Sequence, residues 1–136
     1  MRNDDPVLLP SRESISAIVA EVFEAWLQGA GSQKVTCAFD INSGPCSDFA
    51  EDVVSIALAR FPGADIEVED YEDYLSLEGL SAQGIHYYVR FENWYFDASM
   101  PDGMPSPDFL PTCRSIRICA TSLEEDEEPS DGFSLV

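Results

Sequence analysis

Apolar residues recur along the chain with two different periods. Between Ser11 and Gly29 they fall at Ile15, Ile18, Val19, Val22, Phe23, Trp26 and Leu27, the three-and-four spacing of an amphipathic helix. Ser11 stands where an N-cap belongs, with Ser14 three residues on, and Gly29 closes the run. Helical spacing returns from Cys46 to Arg60, with Phe49, Val53, Ile56 and Ala57 on one face and Pro62-Gly63 as the stop. The turn cluster Asn42-Ser43-Gly44-Pro45 separates that helix from what precedes it.

The second period is that of strands. Val35–Phe39 and Ala64–Val68 read as short strands, and Arg114–Ala120 as a last one. The clearest signal is the pair Ile85–Phe91 and Trp94–Ala98, two aromatic-rich runs around Glu92-Asn93, which predicts a hairpin. Residues 100–111, rich in Pro and Gly, are expected to be irregular. The first ten residues read as an extended arm closed by Pro10, and residues 123–136 as an acidic, disordered tail containing five consecutive acids, Glu124 to Glu128. The expected architecture is a single α+β domain over residues 11–122. In it, the N-terminal helix and the Cys46 helix pack on a small antiparallel sheet.

Composition narrows the function classes. A hydrophobic content of 45% supports a folded core, and no apolar run approaches the ~20 residues of a membrane span. The opening residues lack the basic end and apolar stretch of a signal peptide, so a cytoplasmic location is expected. Twenty-six carboxylates against seven Lys and Arg give a net charge of −19. Such a charge repels nucleic acid and anionic membranes. It suits either simple solubility or a surface that meets a basic protein as substrate or target, and composition does not choose between the two. Within Glu69-Asp70-Tyr71-Glu72-Asp73-Tyr74, tyrosines stand among acids, a composition suited to a partner-binding patch.

Four cysteines, Cys37, Cys46, Cys113 and Cys119, form no zinc spacing, and free thiols are expected. His86 is the only histidine, so no His-rich metal site exists, and neither a metal nor a cofactor is expected. Cys46 opens a predicted helix directly after Gly44-Pro45, where the helix dipole favours the thiolate. A hairpin turning at Glu92-Asn93 sets Phe91 opposite Trp94 and Arg90 opposite Tyr95. His86 and Asp97 then share one face as diagonal neighbours, about 7 Å apart, within reach of a side-chain hydrogen bond. A carboxylate so placed orients an imidazole base. A one-residue slip in register would separate them.

The segment Ser43-Gly44-Pro45-Cys46-Ser47-Asp48-Phe49-Ala50 resembles the nucleophile region of papain-like and transglutaminase-like thiol enzymes. Gly84-Ile85-His86 with the strand after it, and Trp94-Tyr95-Phe96-Asp97-Ala98, resemble their His and Asp strands, in the same order along the chain. The resemblance covers roughly residues 42–100. It implies a thiol hydrolase or acyltransferase acting on amide bonds, with Cys46, His86 and Asp97 as catalytic residues, or an inactive relative on the same scaffold. An oxyanion donor would come from Asn42 or Gln33, or from the Cys46 backbone N–H. The net charge motivates a different class as the alternative. This is a non-enzymatic acidic inhibitor of a basic protein, of the phage anti-defence, nucleic-acid-mimic or toxin-immunity kind.

Overall fold

A computed structural model describes residues 9–122. The arm before Leu9 and the acidic tail from residue 123 lie outside the described residues. Helix α1 (Arg12–Leu27) starts at a reciprocal cap: Ser11 Oγ accepts from the Ser14 N–H and Ser14 Oγ from the Ser11 N–H. Its face of Ile15, Ile18, Val19, Val22 and Trp26 is buried. Gly29, at φ 99°, ends it in the left-handed turn that favours glycine. Gly31 is required for space: a Cβ there would lie 2.3 Å from the Trp26 ring.

The strand expected at Val35–Phe39 does not form; the chain enters a short helix, α2 (Ala38–Asn42). Asp40 accepts hydrogen bonds from both the N–H and the Oγ of Thr36, curling this segment. The helical path buries Ile41 completely and leaves Phe39 72% exposed. A strand preference worth about 1 kcal/mol at most is outweighed by roughly 2–3 kcal/mol for burying the isoleucine. Helix α3 (Cys46–Arg60) then buries Phe49, Ala50, Val53 and Ala57.

Strand β1 (Ile66–Asp70) leads into α4 (Tyr71–Ser76), capped by the Asp70 carboxylate on the Glu72 N–H. The acidic stretch Glu69–Tyr74 therefore spans the end of β1 and the first turn of α4. Strand β2 (Leu80–Ser81) pairs far along the chain with β6 (Thr121–Ser122). The hairpin of β3 (Tyr87–Phe91) and β4 (Trp94–Asp97) has the expected register, with Phe91 opposite Trp94 and Arg90 opposite Tyr95. Residues 100–104, expected to be irregular, form β5 (Met100–Met104), which joins β4 across a bulge between Tyr95 and Asp97. Pro101 and Gly103 are tolerated there because β5 is an edge strand.

The strand expected at Arg114–Ala120 is instead helix α5 (Pro111–Ile118). Leu110, Cys113 and Ile116 are buried at intervals of three, and Ile118 faces solvent, a helical rather than an alternating pattern. Pro111 sits in the first turn, where its missing N–H costs nothing.

The whole is a mixed α+β fold around an antiparallel sheet of order β1-β3-β4-β5. One core joins α1 and α3 to Ile66, Val89, Phe91 and Phe96 of the sheet. A second, smaller core gathers Tyr71, Leu75, Tyr88, Leu110, Cys113 and Ile116. Among the described residues no helix is long and apolar enough to cross a membrane.

Candidate active site

Three elements bring their ends together. Cys46 is the first residue of α3, His86 immediately precedes β3, and Asp97 is the last residue of β4. His86 is fully buried, and its backbone is anchored by its carbonyl, which accepts the Tyr71 N–H at 2.9 Å. Its Nε2 lies 2.9 Å from Asp97 Oδ2. A carboxylate only accepts, so Nε2 carries the proton and Nδ1 is the basic nitrogen of the neutral ring.

Asp97 is held as firmly as the histidine. Its Oδ1 accepts from the Ser99 N–H (2.9 Å), the Ser99 Oγ (2.7 Å) and the Met100 N–H (2.9 Å). Ser99 Oγ in turn accepts from Asn42 Nδ2 at 3.2 Å. The result is a continuous polar chain, Asn42–Ser99–Asp97–His86, across the buried end of the sheet.

Nδ1 of His86 makes no conventional hydrogen bond, and Cys46 is the ionisable neighbour that couples to the ring beside Asp97. Burial alone would pull the imidazole towards neutrality. The hydrogen bond to Asp97, the proximity of the Cys46 thiol, and the charges of both groups outweigh it and push His86 up to about 9. Burial opposes ionisation of Cys46 too. It is overcome by interaction with His86, by the backbone N–H groups of Tyr87 and of Cys46 itself, and by the imidazolium charge, so the thiol falls below its usual range. Cys113, fully buried in the second core, moves the other way because burial dominates. The two buried thiols are thus shifted in opposite directions.

A cleft of about 380 Å³ opens over the thiol, walled by Asn42, Gly44, Cys46, Ile85, Tyr87 and Ile116 among others. Tyr87 also lines a larger concavity of about 640 Å³ that contains Glu67, Glu69, Asp70, Asp73, Tyr74 and Tyr95. Of the residues expected on a partner patch, Glu69, Asp70, Asp73 and Tyr74 meet there, and Glu72 is exposed. Tyr71 is a correction: it is fully buried, and its hydroxyl donates to Asp108 and accepts from Arg117 Nε. Gln33 is exposed and not part of the thiol cleft wall, whereas Asn42 is buried in it.

Sequence reasoning missed Ser99 as the group that fixes Asp97. The available signal was Asp97-Ala98-Ser99, a carboxylate able to accept from the N–H two residues on. Among the described residues no cluster of three or more His, Cys, Asp or Glu is arranged to hold a metal ion. No protein-family model, curated protein or solved structure matches the chain.

Proposed function

We propose that the chain is a small thiol hydrolase or acyltransferase acting on amide bonds, on a scaffold akin to the papain-like and transglutaminase-like enzymes. The observation that carries this reading is the buried His86–Asp97 bond of 2.9 Å beside a thiol of lowered pKa at a helix start. In the resting pair, His86 holds the proton of Cys46. The thiolate Sγ attacks the substrate carbonyl carbon, and the C=O electrons move to oxygen. The backbone N–H groups of Cys46 and Tyr87, which interact with the thiol, are the donors proposed for that charge. As the C–N bond breaks, His86 gives its proton to the leaving amine and a thioester remains. Water or an amine then attacks the thioester, losing a proton to His86, and the C–S bond breaks.

The test is the pH dependence of Cys46 alkylation in wild type and His86→Ala. The exposed Cys37 and Cys119 serve as references; Cys113 is unsuitable because it is buried. A thiolate seen well below pH ~8.5 and lost in the mutant supports the reading. A Cys46 no more reactive than Cys37, and indifferent to His86, would sink it.

The acidic concavity favours a second reading, that of an inhibitor binding a basic protein through Glu67, Glu69, Asp70 and Asp73. Such binding would weaken steeply with salt and survive Cys46→Ser. The shared residue Tyr87 makes the two compatible, with a cationic polypeptide as the substrate class.

A further inference from the structure

We propose that Asn42 reads an N–H group on the substrate and so biases the thiol site towards amides that carry one, over esters and N,N-disubstituted amides. This deepens the thiol reading and rests on it. Among the described residues, two buried side-chain polar atoms lack any partner: His86 Nδ1, which the proposed chemistry uses, and Asn42 Oδ1, which it does not. Asn42 is 6% exposed and lies in the wall of the same cleft as Cys46.

The identity of the free atom follows from the hydrogen-bond chain. Ser99 has one hydroxyl proton, and at 2.7 Å from Asp97 Oδ1 that proton belongs to the carboxylate. Ser99 Oγ can therefore only accept from Asn42, which turns the amide nitrogen towards it and leaves the oxygen over. An orphaned buried acceptor is costly, and a site that keeps one is matched to a donor that arrives with the ligand. An amide N–H satisfies Oδ1. An ester oxygen in the same place sets lone pairs against lone pairs, and the penalty falls on the wrong substrate. The same polarity makes the vicinity of Oδ1 a poor seat for an oxyanion, which leaves that role to backbone N–H groups.

The decisive experiment uses two isosteric alkylating probes, N-methyl-2-chloroacetamide and methyl chloroacetate, which differ in N–H against O. With each, Sγ–C forms as C–Cl breaks, and chloride leaves. Rates at Cys46 are divided by those at Cys37 in the same molecule, which removes the intrinsic reactivity of each probe. The expected result is a normalised preference of about tenfold for the amide in wild type, the effect of one hydrogen bond. Asn42→Leu should lose that preference. If Asn42→Leu does not fold, as read from labelling of the buried Cys113, Asn42→Ala takes its place. Equal normalised ratios in wild type, or a preference that survives removal of Asn42, overturn the role of Asn42. A Cys46 no faster than Cys37 with either probe, and unaffected by His86→Ala, overturns the thiol reading itself.

Discussion

His86 sits under opposing pressures, and their balance fixes a pH window. Its value in the fold, about 9, lies above the ordinary 6.5. The stability contributed by the imidazolium is therefore complete below the ordinary value and lost as pH rises through about 9. Cys46 is lowered from 9.0, so its thiolate contributes above that ordinary value and loses its contribution as pH falls through the lowered one. The pair is fully charged only between the two folded-state values. Asp97→Asn removes the charge that supports the cation while keeping the shape. It should move the onset of Cys46 alkylation to higher pH and reduce the rate near neutrality by up to about tenfold per unit of His86 shift. A pH–rate profile unchanged by Asp97→Asn would assign Asp97 to packing alone.

At the scale of elements, the tightest conformational demand is the hairpin turn. Glu92 adopts φ 52°, a left-handed conformation rare for a residue with a Cβ. Glu92→Gly relieves that strain but adds backbone entropy to the unfolded chain, and the net expectation is a gain of about 0.5–1 kcal/mol in denaturant unfolding. Gly31→Ala works in the opposite direction. The new methyl would collide with the Trp26 ring, so a loss of about 1–3 kcal/mol is expected by the same measurement. The long helices α1 and α3 were legible because each shows several turns of one-sided apolar spacing. The hairpin was legible because two aromatic runs surround a two-residue break, and its register carries the proximity of His86 to Asp97. The short helices α2 and α5 were not. Val35–Phe39 and Arg114–Ala120 are too short to fix a period, and burial of Ile41, Cys113 and Ile116 by distant elements decided them. Ser99 and the orphaned Asn42 oxygen escaped for a related reason: α2 and the β4–β5 turn meet only in the folded chain.

Across the whole molecule, charge is unbalanced but not unstructured. Arg90 binds Asp65, Glu67 and Glu69 together, each at 3.0 Å, across β1 and β3. Among the described residues Arg60 also pairs with Glu21, and Arg117 with Glu78 and Asp108, while over the whole sequence 26 acids face 7 Lys and Arg. Net repulsion should outweigh these local attractions, so added salt is expected to raise the melting temperature. A fall would mean that the Arg90 cluster dominates. The two outermost strands carry a further consequence. Strand β5 contains Pro101, which offers no N–H to a neighbour, and β1 is lined with Glu67, Glu69 and Asp70. These are two ways of refusing an intruding strand. Only the first is independent of pH. Burial, then the nearby Glu67, raise Glu69 above the ordinary carboxyl range, so it takes up its proton early as acid is added. Mild acidification should make β1 the seed of fibrillar self-association, visible as light scattering, while Pro101 keeps the opposite rim closed.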